Sequence, residues 1–226
     1  MSTGYAFSDD LYTDEQTILL NARTTLRMLQ DRGVLKVDCR VPSVESISTD
    51  GVLSKELFFP MDVLTEIGKQ RFPNGIGVLI AMYDICMGIN AFPVVQAFLK
   101  TTRTRKILIP KRITQSQYRD ILDHYDGVEI FRGADMLSPT IDHVSQPTFE
   151  PYLTDDEINE TINNYQMKAD RSQFQEMYVT DPVARYYNLD VGAIVRITRS
   201  SSSAIRSINF RRVVPSSSNM MFEIEY

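Results

Sequence analysis

The residues in this chain that could do hydrolytic chemistry are seven lysines and a dispersed set of carboxylates. Metal-dependent phosphodiester cleavage holds a divalent ion on two carboxylates and sets a lysine beside the attacking water. Its usual sequence form puts an acidic residue two places before that lysine. The residues two before Lys36, Lys55, Lys69, Lys100, Lys106, Lys111 and Lys168 are Val34, Leu53, Ile67, Phe98, Thr104, Ile109 and Gln166. None is acidic, so the nuclease signature is missing.

Zinc and thiol chemistry are short of ligands. The cysteines are Cys39 and Cys86, the histidines His124 and His143, and no CxxC occurs. The two cysteines are expected to be buried thiols in a reducing compartment, with a bridge between them left open. His143 fits a structural hydrogen-bonding role. No GxSxG, HExxH, GxxxxGK or calcium-loop motif appears. Gly75-Ile-Gly77 begins a dinucleotide-like pattern, but Ile80 stands where the third glycine belongs. A turn entering a buried strand suits it better. No catalytic residue, no metal site and no cofactor is therefore expected.

The charge distribution is less ordinary. The net charge of −5 excludes a strongly basic nucleic-acid coat, and neither half of the chain is basic. Yet no acidic residue lies between Ile85 and Arg119, whereas Lys100, Arg103, Arg105, Lys106, Lys111, Arg112 and Arg119 all do. Inside this window Thr114 and Gln117 have capping-box spacing, with Ile113 and Tyr118 at staple positions. A helix N-terminus offers free N–H groups and partial positive charge, which suits phosphate. Two readings stay open: a solvated basic face, or a phosphate contact without base specificity.

The elements that position these residues follow from periodicity and punctuation. Thr13 and Gln16 form a capping box at the start of a helix predicted over Asp14–Arg32, and Gly33 stops it. Val78–Met82, Lys106–Ile109 and Val128–Phe131 read as strands, with a helix over Gln115–Tyr125. The apolar stretch Ile76–Leu99 carries Asp84, Asn90 and Pro93, so it reads as a buried strand plus a connection rather than a membrane span. The N-terminus lacks the basic start and apolar core of a signal peptide. Pro139, Pro147 and Pro151 mark a domain boundary. Thr154 and Glu157 form a second capping box before Ile158, Ile162 and Tyr165. Asp181-Pro182 starts a short helix, Asn188–Gly192 is a turn, and Ile194–Arg199 and Ile205–Val213 read as two strands joined by a serine-rich run.

Thr180 to Val213 resembles the C-terminal domain of the fifth subunit shared by eukaryotic RNA polymerases, a family with an archaeal relative. Asp181, Pro182, Val183, Ala184, Tyr186, Gly192, Val195, Ile197, Arg199, Arg206, Phe210 and Arg211 fall in register with that family's helix, strand and hairpin. Thr25–Val34, Ile113–Ser116 and His143–Pro147 are similar to further family segments, whereas Asp38–Phe72 is poorly anchored. Ile205 and Ser207 depart from the family's glycine and tyrosine, and Gln115 from its proline. These departures suggest a divergent lineage, such as a large DNA virus with its own polymerase.

The resemblance implies an α+β protein: an N-terminal α/β jaw domain of nuclease-like fold without catalysis (residues 1–145), a small C-terminal α+β assembly domain (146–215) and a tail (216–226). It implies a non-catalytic polymerase subunit in the nucleus, or in the virion or host cytoplasm if viral. Its partners would be the largest and other polymerase subunits and downstream double-stranded DNA, bound without sequence specificity; neither a membrane nor a small-molecule substrate is expected. Lys111, Arg112, Thr114, Gln115 and Ser116 would contact DNA. Asp181, Pro182, Arg185, Arg199, Arg206 and Arg211 would form the docking face. The rival expectation is a stand-alone nuclease or DNA-repair protein built on the same α/β domain.

Overall fold

The computed structural model describes residues 12–40, 47–49, 52–103, 105–143, 145–151, 153–168, 171–200 and 206–215. The serine-rich run at 201–204, Ile205 and the tail at 216–226 lie outside them. The chain divides into two compact units, 1–139 and 140–225.

The first unit opens with α1 (Asp14–Asp31). The Thr13 N–H donates to Gln16 Oε1 at 3.0 Å and the Gln16 N–H donates to Thr13 Oγ1 at 3.3 Å, completing the expected capping box. Gly33 follows at φ +67°, a conformation a Cβ would disfavour. The helix buries Ile18, Ala22, Met28 and Leu29. Next come β1 (Ile47–Thr49), β2 (Val52–Phe59), α2 (Glu66–Arg71), β3 (Ile76–Ile85), α3 (Pro93–Leu99), β4 (Arg105–Ile113), α4 (Gln115–His124), β5 (Val128–Ile130) and α5 (Gly133–Leu137). The strands form one sheet in the order β1-β2-β3-β4-β5. β1, β2 and β3 run antiparallel to their neighbours, whereas β3, β4 and β5 are parallel, joined through α3 and α4. This mixed sheet agrees with the α/β expectation for the first domain.

β3 is buried at every position except Asp84, so it does not show the alternation of a half-exposed strand. It lies centrally, with both faces covered, as parallel strands with crossover helices must be. Gly75, at φ +74°, turns the chain into it; a Cβ there would lie 2.6 Å from the Phe59 carbonyl. Pro110 interrupts the β3–β4 ladder because it has no N–H to give. The register shifts there, from Ala81 opposite Pro110 to Asp84 opposite Arg112.

The described part of Asp38–Phe72, which the resemblance leaves poorly anchored, contains β1, β2 and α2, and the connection expected after β3 includes α3, with Pro93 at its first position. One local expectation is corrected. The thiols are not both buried: Cys39 is half-buried and Cys86 exposed, and both are free. Burial and then the Asp62 carboxylate push the Cys39 thiol above its ordinary range.

A buried ion triad ties this unit together. Glu129 on β5 accepts from Arg32, just past α1, at 2.8 and 3.0 Å, and from Arg105 Nε at 2.6 Å. The side chains are only 4%, 13% and 20% exposed for Arg32, Glu129 and Arg105. Burial alone would push the Glu129 carboxyl up, but the two guanidiniums outweigh it and hold the group below its ordinary range.

The second unit is a sheet in the order β6-β8-β9-β7, with β6 (Thr148–Glu150), β7 (Gln175–Tyr178), β8 (Ile194–Ser200) and β9 (Arg206–Val214). The β8–β9 hairpin is antiparallel, and β7 joins β9 in parallel. The two helices are α6 (Asp155–Asn164), with the expected Thr154–Glu157 capping box, and α7 (Pro182–Tyr187). Each covers one sheet face. Val195, Ile197, Val213 and Met177 pack with Ala184 of α7, and Ile194 and Phe174 pack with Ile158 and Ile162 of α6. Among the described residues no helix is long and apolar enough to cross a membrane.

The triad sets a test of stability. Glu129→Gln is expected to destabilise the protein by about 3 kcal/mol at pH 7, because two buried guanidiniums lose their counter-charge. The Glu129 contribution is complete above the ordinary carboxylate range and is lost as pH falls through its lowered value. In urea unfolding, the gap between native protein and variant should therefore shrink below about pH 4.

Candidate functional site

The expected DNA-contact residues occupy one end of the first sheet. Lys111 and Arg112 lie near the end of β4, and Thr114, Gln115 and Ser116 form the start of α4. This is the carboxyl end of the parallel strands β3 and β4, where open α/β sheets commonly present their binding crevice. Arg112, Thr114, Gln115 and Ser116 are exposed and Lys111 is half-buried. Lys111 has no ion-pair partner among the described residues. As successive strand residues, Lys111 and Arg112 leave the sheet on opposite sides. The structure brings the five residues to one sheet end, but not onto one plane.

The Thr114 capping box does not form. Its backbone N–H, which Gln117 was expected to satisfy, instead donates to the Ile85 carbonyl at 3.1 Å and extends the β3–β4 ladder. The Thr114 hydroxyl lies 3.2 Å from that of Ser116, and Gln117 Oε1 is buried without a described partner. Tyr118 is buried, as its staple position requires.

The basic window is also smaller at the surface than in sequence. Arg103 ion-pairs with Glu56 and lies 4.5 Å over the Phe58 ring. Arg105 belongs to the triad. Lys106 is buried, and its Nζ donates to the Leu99 carbonyl at 2.7 Å. Burial and then Arg103 lower its pKa. Lys100, Lys111, Arg112 and Arg119 remain at or near the surface.

In the second unit Asp181 caps α7. Its Oδ1 accepts from the Val183 N–H at 2.8 Å, and Pro182 takes the first helical position. Arg185 is half-buried on the same helix. Register then divides the arginines. Arg199 and Arg211 share the α7 face of the sheet with Val195 and Ile197, whereas Arg206 lies on the α6 face with Arg196 and Phe210. The expected docking set is thus split between two faces. None of Arg199, Arg206 and Arg211 has an ion-pair partner among the described residues. Arg196, which sequence reasoning passed over, is committed internally: it pairs with Glu150 at 2.8 Å and approaches Glu157 at 3.9 Å. The β6–β8 register, which places Glu150 opposite Arg196, and the α6 face it shares with Glu157 distinguish it from Arg199.

His143 makes a local hydrogen bond: its Nδ1 lies 2.7 Å from the Ser145 hydroxyl in an exposed turn. Among the described residues no group of three or more potential ligands could hold a metal ion.

Residues 140–213 match the family described as RNA polymerase Rpb5, C-terminal domain. They span the described sheet and both helices of the second unit almost completely. Similarity extends beyond that unit. The chain is 25% identical over 218 residues to DNA-directed RNA polymerase subunit 5-like protein 1 of Arabidopsis thaliana, covering 89% of this chain and 98% of that protein. It is 26% identical over 202 residues to subunit 5B of RNA polymerases IV and V from the same plant, covering 86% and 88%. With subunit rpabc1 of RNA polymerases I, II and III from Dictyostelium discoideum it shares 38% identity over 87 residues, 38% of this chain and 43% of that protein. The fold and these likenesses point to the class of RNA polymerase subunits. The second unit matches the Rpb5 C-terminal domain, and the chain is similar over most of its length to subunit 5 proteins.

Asp181→Ala is expected to lower stability by about 1 kcal/mol through loss of the α7 cap, and Asp181→Asn to retain most of it. Chemical unfolding of the full chain at neutral pH measures both.

Proposed function

We propose that this chain is a non-catalytic subunit of a multisubunit DNA-directed RNA polymerase. It docks through its second unit on the largest subunit and lays its first unit beside downstream DNA. The observation that carries this reading is the Rpb5 C-terminal match over the one unit whose Arg199, Arg206 and Arg211 have no described internal ion-pair partner. Cations left without a counter-charge are available to a second protein, and the α7 face offers two of them. In the first unit, Lys111 and the start of α4 would touch backbone phosphate, positioning DNA without reading bases. Work in the nucleus follows from this role; a virus-encoded version would work in the virion or host cytoplasm.

Three experiments test the separate parts. Arg199→Glu with Arg211→Glu should reduce co-purification of the chain with polymerase at least about tenfold while circular dichroism stays native. Undiminished co-purification would remove the α7 face from the docking surface. Lys111→Ala with Arg112→Ala should weaken DNA binding by the assembled enzyme about equally across sequences. It should also flatten the log K against log salt slope by about 2; an unchanged slope would contradict the phosphate contact. For the nuclease alternative, the full chain is incubated with magnesium and duplex DNA, and cleavage would favour it over the subunit reading.

A further inference from the structure

A cleft of about 220 Å³ lies between α6 and the α6 face of the β8–β9 hairpin. Its floor and one edge are apolar. Phe210 is half-buried in the floor, Ile208 beside it is 49% exposed, and Tyr165 at the end of α6 is 62% exposed. The Tyr165 and Phe210 rings meet edge-on, 6.3 Å apart. α6 covers Ile194 and Phe174, but the Ile208 position lies further along the hairpin, outside the buried cluster. The result is an apolar seat open to solvent.

The helix wall above this seat is anionic. Glu157 and Glu160 line it, and the floor contributes one cation, Arg196. That guanidinium is already occupied by Glu150 and Glu157 and lies 5.9 Å from the Phe210 ring centroid. Glu160 has no ion-pair partner among the described residues. An uncompensated carboxylate over exposed aromatic surface suits a cation with apolar neighbours. The anionic character is local to this helix wall, since Arg206 lies further along the same sheet face, and at the wall Glu160 favours a cation over phosphate.

We propose that this cleft is a docking groove for a segment of another polypeptide that sets an apolar side chain on Ile208, Phe210 and Tyr165 and a lysine or arginine against Glu160. The groove lies on the sheet face opposite Arg199 and Arg211, includes none of the residues expected to dock, and does not depend on the polymerase reading.

The test uses the full chain and two synthetic capped peptides, Gly-Leu-Lys-Leu-Arg-Gly and its counterpart with glutamate at both basic positions. Backbone amide shifts are followed by NMR. The basic peptide should bind weakly, with the largest shifts at Glu160, Tyr165 and Ile208, and the acidic peptide should not. Glu160→Gln should weaken binding about threefold and Glu160→Lys further, the range of an exposed ion pair. Ile208→Ser should abolish binding while leaving the rest of the spectrum unchanged. Equal binding of the two peptides, shifts centred elsewhere, or no binding of the basic peptide at millimolar concentration would overturn the proposal. None of these outcomes bears on whether the chain joins a polymerase.

Discussion

The first unit depends on one buried carboxylate shared by two guanidiniums. Glu129 on the short edge strand β5 holds Arg32, at the end of α1, and Arg105, at the start of β4. Three segments far apart in sequence are thereby fixed to one point. A buried charge of this kind is costly unless its partners are complete, so the three side chains constrain the packing together. The same point fixes where β4 begins, and β4 delivers Lys111 and the start of α4 to the sheet end.

The triad also explains why charge counted along the chain overstates charge at the surface. Arg105, Arg103 and Lys106 look like part of a basic stripe but are held by Glu129, Glu56 and the Leu99 carbonyl. The second unit repeats the pattern: Arg196 joins Glu150 and Glu157, while Arg212 approaches Glu176 at 3.7 Å. Arginines in such pairs hold sheets and helices together. Arg199, Arg206 and Arg211 have no such counter-charge among the described residues, which is why the proposed docking role falls to them.

Features governed by local chemistry were legible in the sequence. The capping boxes at Thr13 and Thr154, the cap at Asp181-Pro182, the turn at Gly75 and the β8–β9 strand pair all appear where spacing placed them. Features governed by distant contacts were not. The Thr114 box has the right residues, but a ladder bond to Ile85 uses its N–H first. Whether an arginine was internal depended on a register partner, such as Glu150 for Arg196, that only the folded sheet supplies. The residues expected to dock came from a family pattern, and their division between two faces became visible only with the strand pairing.

Membership of a working polymerase is most directly checked by native complex size. The tagged chain, expressed at its natural level, is followed through gel filtration of nuclear extract together with RNA-synthesis activity. A polymerase subunit should elute with the large, active complex at one copy per largest subunit. Elution of the chain at its monomer position, with polymerase fractions free of it, would rule out membership.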